Sequence, residues 1–453
     1  MSTVHASPSM LTDRYELTML TSFVTDGTAE HPAVFEAFAR RLPEGRRYGV
    51  LGGLGRLLPL IESFRFAEHE VQWLLEQGVV NEPTAAYLRD FRFTGDVDAY
   101  REGDLYFPGS PVLTVTGTLG ECVVLETLVL SVLNHDSAIA SAAARMVASA
   151  GGRPLVEMGS RRTHEEAAVA VGRAAYVAGF ASSSNLAAGL LHGVPTVGTA
   201  AHAFTLAHRD EVSAFRSQVA AQGPGTTLLV DTYDIQQGIR NAVEVAGPEL
   251  GAIRIDSGDL ADESTAARAL LDELGATRTR IIVTSDLDEY VIAALADAPI
   301  DGYGVGTRVA TGSGHPTAQM VYKLVAVGDE PGGPLRPVAK KSHDKISVGG
   351  RKTAYRSYDD AGHVAAEWFT SDAAPISPGS PESTARDGWP VQVAAVRAGE
   401  VVHSPTLDEV RDHCAAALAT LPPSALAITG GSAHLKAGPL TAPTGSANEG
   451  APA

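Results

Sequence analysis

Six short apolar runs along residues 154–306 constrain the fold more than any other feature of this 453-residue sequence. They occupy residues 154–158, 194–198, 227–230, 252–255, 280–284 and 302–306. Several are roughly 20–30 residues apart, the length of one helix and two loops, and helical patterns fill the gaps. Continuous apolar strands alternating with helices predict a parallel sheet with helices on its faces. The repetition favours a closed or partly closed α/β barrel over an open sheet.

The rest of the chain organises around that unit. Residues 1–118 mix a helical pattern over 61–77 with strand-like pieces at 105–107 and 112–115, and read as an N-terminal α/β domain. Residues 119–327 form the barrel stretch, opening on a long Ala-, Leu- and Val-rich helix over 121–150. Residues 328–435 carry strand patterns at 345–356 and 391–397 and a helix over 407–421, expected to pack on the N-terminal domain. Residues 436–453, rich in Pro, Gly, Ala, Ser and Thr, read as a disordered tail.

Composition narrows the function. The formal net charge is −18, from 35 basic and 53 acidic side chains, so nucleic acid and anionic membranes are repelled on average. Cys122 and Cys414 show no zinc-ligand spacing and fit a reducing cytosol. The N-terminus lacks a basic start followed by an apolar core, and Glu126 and Thr127 interrupt the apolar run over 121–133. These features predict a cytoplasmic protein.

In parallel α/β folds, ligands bind at the carboxyl ends of strands. Those ends carry Glu157, Arg161 and Arg162; His202; Asp231; Arg254 and Asp256, with Asp259 following; Ser285 and Asp286; and Gly304, Gly306 and Thr307. Carboxylates meeting at one rim repel unless they bind hydroxyls or a cation, and a ribose diol with Mg²⁺ serves both needs. A Gly-x-Gly-Thr turn before a helix can cradle phosphate, and arginines offer forked donors to phosphate or carboxylate. Each element has a plainer reading: an N-cap aspartate, a tight turn, a solvated Arg-Arg pair, a structural histidine. Their convergence at six strand ends is what points to a phosphorylated sugar.

Five ordered blocks then carry a resemblance. They are LTDRYELTM; YFPGSPVLTVTGTLGECVVLETLVLSVLN; EMGSRRTHEEAA with YVAGFASSSNLAAGLLHGVPTVGTAAHAF; LLVDTYDI with IRIDSGDL; and DGYGVGTR with YKLV, KKSHDK and GGRKTAYRSYD. From residue 11 to residue 421 the chain resembles the nicotinate phosphoribosyltransferase family, and more distantly nicotinamide phosphoribosyltransferase. The resemblance implies an irregular α/β barrel of the type II phosphoribosyltransferase kind. An N-terminal α/β domain completed by C-terminal strands goes with it, in a homodimer whose active site lies at the subunit interface. It implies condensation of nicotinate with phosphoribosyl pyrophosphate, with ATP as co-substrate and Mg²⁺ as cofactor.

Carried over residue by residue, the resemblance makes His202 the phosphorylated histidine and a catalytic residue with Arg254 and Asp256. Arg161 and Arg254 flank the pyridine carboxylate and the phosphoribosyl group; Asp231, Asp256 and Asp286 face ribose and metal. Asp256 and Asp286 are the candidate metal ligands, and Gly304, Gly306 and Thr307 form the 5′-phosphate loop. Thr199 and Ser257 join the substrate site, and Tyr15 stacks on the pyridine ring from the neighbouring subunit. Nicotinamide-specific relatives carry an aspartate where this chain has Ser184, which favours the acid over the amide. Met158 stands where relatives often carry an aromatic, with Phe180 as a substitute ring; the division of labour between Asp286 and Asp288 is open. Lys341, Lys345, Lys352 and Arg356 are candidate phosphate contacts. The alternatives are nicotinamide or quinolinate phosphoribosyltransferase, or a non-catalytic relative.

Overall fold

The computed structural model describes residues 7–340, 348–372 and 388–439. Its parallel sheet runs in the order Ser182–Ser183, Leu155–Glu157, Gly302–Val305, Arg280–Ser285, Ala252–Ile255, Thr227–Leu229, and curls into a half-barrel. Ile253, Ile255, Ile281, Val283 and Val305 are fully buried, as strands covered on both faces require. The α/β barrel expected from the recurring runs is therefore present in curled form.

The run at 194–198 is the exception. It contributes only one bridge, Thr196 to Ser183, closed by Ser183 N–H to Pro195 O at 2.9 Å and Val197 N–H to Ser183 O at 3.0 Å. Pro195 has no N–H to extend the ladder, and Gly198 follows. The strand that fills this edge, Ser182–Ser183, is polar and escaped an apolar search.

Both chain ends build a second sheet. Its order is Leu335–Pro337, Met320–Gly328, Pro32–Ala39, Leu113–Thr118, Asp96–Ala99, Val393–Arg397, Glu400–Val401, with its pairings antiparallel. The expected tail starts too early at 436. Ala437 is buried and its N–H donates to Pro108 O at 2.9 Å, and Gly438–Pro439 pairs with the strand Val364–Ser371. Backbone pairing needs no particular side chain, so composition misled there; residues 440–453 lie outside the described residues.

The expected helix over 121–150 is two helices, Leu119–Val123 and Glu126–Ser149. Thr118 and Glu121 form a capping box at the start. This helical stretch, Leu119–Ser149, is the one described helix long and apolar enough to cross a membrane, but 67% of its most apolar window is buried inside the protein. Leu128, Val129, Val132 and Leu133 pack in the core under the antiparallel sheet, while Ile139, Ala140, Ala143, Ala144 and Met146 pack in the half-barrel core. Alanines face alanines of helix Glu165–Val177, where small side chains let two helices approach closely.

Two of the four candidate phosphate contacts turn out to be interior ties, and Lys341 and Lys345 lie outside the described residues. Lys352 Nζ donates to Glu36 Oε2 at 2.7 Å, with side-chain exposures of 4% and 2%, and stands over the Phe369 ring. Arg356 is held by Asp104, Glu367 and Leu105 O at 2.6–2.7 Å. A charge needs a nearby opposite charge to stay buried; Lys352 finds one on the strand Pro32–Ala39, and Arg356 finds one in Glu367 on the neighbouring strand Val364–Ser371 and another in Asp104. Lys352→Met removes the contact that opposes the upward push of burial on the Glu36 carboxyl. We expect it to cost about 3–5 kcal/mol in urea unfolding, whereas Glu36→Leu with Lys352→Met together returns to within about 1–2 kcal/mol of the parent.

Candidate functional site

The carboxyl ends of the parallel strands open into a cleft of about 250 Å³. It gathers Arg161, Arg254, Asp256, Asp286, Gly304, Gly306 and Thr307 with Met158, Arg162, Thr284 and Ser285. Clefts of similar volume, about 220 and 270 Å³, lie beside helix Leu54–Glu62 and beside Trp389. They contain no strand end of the half-barrel, so chemistry and not size picks the site.

Arg254 is fixed on every nitrogen. Nε donates to Thr284 Oγ1 at 3.1 Å, Nη1 to Thr199 Oγ1 at 2.6 Å and Ala200 O at 3.1 Å, and Nη2 to Asp256 Oδ2 at 3.4 Å. Such anchoring holds the guanidinium plane in one orientation before any ligand arrives. Thr199 thus reaches the site through Arg254 and not as part of the cleft wall.

The aspartates divide by whether they cap a helix or face the cleft. Asp234, Asp259 and Asp288 cap the helices that follow them, accepting backbone N–H groups at 2.8–3.2 Å. That separates Asp286, which faces the cleft, from Asp288, which is a cap. Asp231 departs from its expected ribose-facing role. It is buried, and Oδ2 accepts from Asp256 N–H and Ser257 Oγ, both at 2.8 Å. Ser257 is spent on that bond. The other oxygen, Oδ1, is buried with no hydrogen-bond partner among the described residues and lies 3.8 Å from His202 Nε2.

His202 opens helix His202–Leu206 at the cleft edge, with its side chain 41% exposed. Nε2 faces two carboxylates, Asp231 Oδ1 at 3.8 Å and Asp256 Oδ2 at 3.9 Å. Nδ1 is 3.2 Å from Thr232 Oγ1, so a hydroxyl is in hydrogen-bond reach of one ring nitrogen while two acids stand just beyond that reach of the other.

Behind the cleft, Glu157 is fully buried. Ser183 Oγ donates to its Oε2 at 2.5 Å and Gly159 N–H donates to its Oε1. Burial pushes its carboxyl up against the lowering effect of these two bonds. Ser184 sits next to Ser183, its N–H bonded to Glu157 O at 2.8 Å. Gly304 is required by packing: a Cβ there would meet Thr284 Cγ2 at 2.5 Å and Met158 Sδ at 2.8 Å. Gly306 has room for a Cβ and faces the cleft. Phe180 is fully buried in the half-barrel core and cannot stand in for an aromatic at position 158. Tyr15, on helix Arg14–Asp26 beside Glu126, is half exposed and outside the cleft of its own chain.

Known proteins resemble this chain in sequence and in fold. Residues 10–134 match the family described as nicotinate phosphoribosyltransferase (NAPRTase) N-terminal domain. A nicotinate phosphoribosyltransferase of Mycobacterium tuberculosis is 55% identical over 93% of this chain and 93% of its own length. One from Bacillus subtilis is 39% identical over 79% of this chain and 74% of its own. The crystal structure of human nicotinic acid phosphoribosyltransferase superposes with a TM-score of 0.77 at 26% identity, covering 94% of this chain and 97% of that one.

The chain belongs to the nicotinate phosphoribosyltransferase family. Two residues of this family member's site were missed from the sequence, Thr284 and Thr232. Thr284 was counted as strand; a hydroxyl near the end of an apolar run was the available signal. Thr232 follows an aspartate that drew the attention. Replacing it tests the ring geometry directly. Thr232→Ser should keep the His202 imidazole tautomer and Thr232→Val should lose it, read from the ring-nitrogen resonances by NMR. Unchanged resonances in Thr232→Val would mean the hydroxyl does not hold the ring.

Proposed function

We propose that the chain joins nicotinate to 5-phosphoribosyl-1-pyrophosphate, giving nicotinate mononucleotide and pyrophosphate, with ATP hydrolysis coupled through a phosphorylated His202. It thereby catalyses the first step of NAD salvage from nicotinate, as a carbon–nitrogen bond-forming ligase of the cytoplasm. The observation that carries this reading is the anchored Arg254, sharing one cleft with Arg161, Asp256, Asp286 and the Gly306–Thr307 turn, with His202 at its edge.

The bond from ribose C1′ to pyrophosphate oxygen breaks as the pyridine nitrogen forms its bond to C1′. That nitrogen is neutral and holds its own lone pair, so no general base is needed. The protein's work is positioning and charge stabilisation. Arg254 and Arg161 receive the nicotinate carboxylate and phosphoribosyl oxygens; Asp256 and Asp286 receive ribose hydroxyls; Gly306 and Thr307 receive the 5′-phosphate. Asp231 acts one step back, orienting Asp256 through its backbone and facing His202. Among the described residues no three His, Cys, Asp or Glu side chains gather to hold a metal ion. The hard oxygens of Asp256 and Asp286 would hold Mg²⁺, which would supply charge neutralisation of the pyrophosphate leaving group.

The proposal includes a homodimer in which Tyr15 of one chain reaches the pyridine ring bound by the other. Its support is an apolar face at the site's edge. Helix Leu186–His192 starts just after Ser184 and exposes Leu186 (77%), Leu190 (86%) and Leu191 (66%), with exposed Val197 and Leu206 elsewhere in the flanking segments. A cluster of large exposed aliphatics marks an interface more often than free surface. Leu190→Asp should therefore shift sedimentation from dimer to monomer and remove activity; an active variant with unchanged sedimentation would refute this interface.

The main test is an assay of nicotinate mononucleotide from nicotinate, phosphoribosyl pyrophosphate and Mg²⁺, with and without ATP. ATP should raise product strongly in the parent protein and have no effect in His202→Ala. Nicotinamide and quinolinate should be poor substrates, and comparable turnover of either would overturn the assignment.

A further inference from the structure

Glu157 is a buried carboxyl for which the reaction has no use. It ends the strand Leu155–Glu157 and has no exposed surface. Interior carboxyls are costly unless something specific holds them, so its contacts ask for a reason. Those contacts all lead to turns around the cleft. Through Oε1 it accepts from Gly159 N–H, inside the turn that carries Met158, Arg161 and Arg162. Through Oε2 it accepts from Ser183 Oγ at 2.5 Å, and that same oxygen of Ser183 accepts from Asn185 N–H at 2.9 Å. Its carbonyl accepts from Ser184 N–H at 2.8 Å. Gly159 in turn packs so tightly that a Cβ would fall 2.9 Å from Gly306 O and 2.7 Å from Ala310 Cβ. One carboxyl therefore links the arginine turn and the serine turn, and the arginine turn rests on the Gly306–Thr307 turn.

We infer that Glu157 is a positioning residue that sets the distance between the Arg161 turn and the Ser184 turn, and so the fit of the base's carboxylate; this rests on the proposed reaction. The carboxylate is the right group because both partners donate to it. In Glu157→Gln the amide NH₂ would meet the Ser183 hydroxyl, whose oxygen already accepts from Asn185. The Ser183 proton then loses its acceptor, and the serine turn loses its tie while the side-chain volume stays the same.

The test pairs kinetics with amide exchange. In Glu157→Gln, the KM for nicotinate should rise about tenfold or more, while kcat and the KM for phosphoribosyl pyrophosphate stay within about threefold. Hydrogen exchange at the Ser184 and Asn185 amides should accelerate, because the serine turn has lost its tie, while Gly159 N–H keeps an oxygen acceptor and its protection. Ser183→Ala, a milder change, should show part of the same nicotinate-specific rise, and the double variant should be no worse than Glu157→Gln alone. Equal effects on both substrates, an unchanged nicotinate KM, or unchanged exchange in the serine turn would overturn the inference. A parent protein that does not turn over nicotinate at all would sink the proposed reaction instead, and the exchange measurement would still decide whether Glu157 ties the serine turn.

Discussion

Helix Glu126–Ser149 belongs to two hydrophobic cores at once, and the seating of the half-barrel on the antiparallel sheet depends on it. Its first half presents Leu128, Val129, Val132 and Leu133 to one core, and its second half presents Ile139 and Met146 among alanines to the other. Full burial of one such side chain is worth about 1.5–3 kcal/mol. Six of them together give on the order of 10 kcal/mol, as large as the net stability of a typical domain. Neither sheet can shift along this helix without uncovering part of that surface. The cleft inherits the rigidity, because Arg145 near the end of the helix binds Glu289, on the helix that Asp288 caps.

At the cleft itself, the aspartates divide by whether they cap a helix or face the opening. Asp234, Asp259 and Asp288 each give one oxygen, Oδ1, to backbone N–H groups of the helix that follows. Asp256 and Asp286 face the opening, and Asp231 keeps a single buried oxygen turned toward His202. Arg254 is held in place by its neighbours, its donors shared among Thr284, Thr199, Ala200 and Asp256, while Thr284 Oγ1 donates in turn to Asp256 Oδ1 at 2.5 Å. Binding groups in this site are held by neighbours of opposite hydrogen-bonding sense, which fixes them ahead of the ligand.

Much of this was legible in the sequence, and the failures have physical causes. The strands at 252–255, 280–285 and 302–305 were readable because burial on both faces demands an unbroken apolar run. Ser182–Ser183 was not, because its backbone pairs while its side chains are polar and the Ser183 hydroxyl serves Glu157. The cleft residues were readable from their place just after each strand, but position alone could not tell Asp286 from Asp288 or predict that Asp231 turns inward. That depends on which helix begins next and which N–H groups it leaves open. Lys352 and Arg356 read as candidate phosphate contacts because their partners Glu36 and Asp104 lie more than 250 residues earlier. The start of the tail was misplaced for a related reason: the hydrogen bond from Ala437 to Pro108 crosses most of the chain.

The antiparallel sheet also has a history. Pro32–Ala39 and Leu113–Thr118 pair early in the chain, but Met320–Gly328, which covers the other edge of Pro32–Ala39, comes roughly 200 residues later. On a ribosome adding about 5–20 residues per second, that edge waits roughly 10–40 s for its partner. During that time it is a row of open N–H and C=O groups beside apolar side chains, the kind of surface that recruits other nascent chains. For this protein the hazardous interval falls during synthesis, and a chain interrupted before residue 328 would leave the ribosome with the edge still bare.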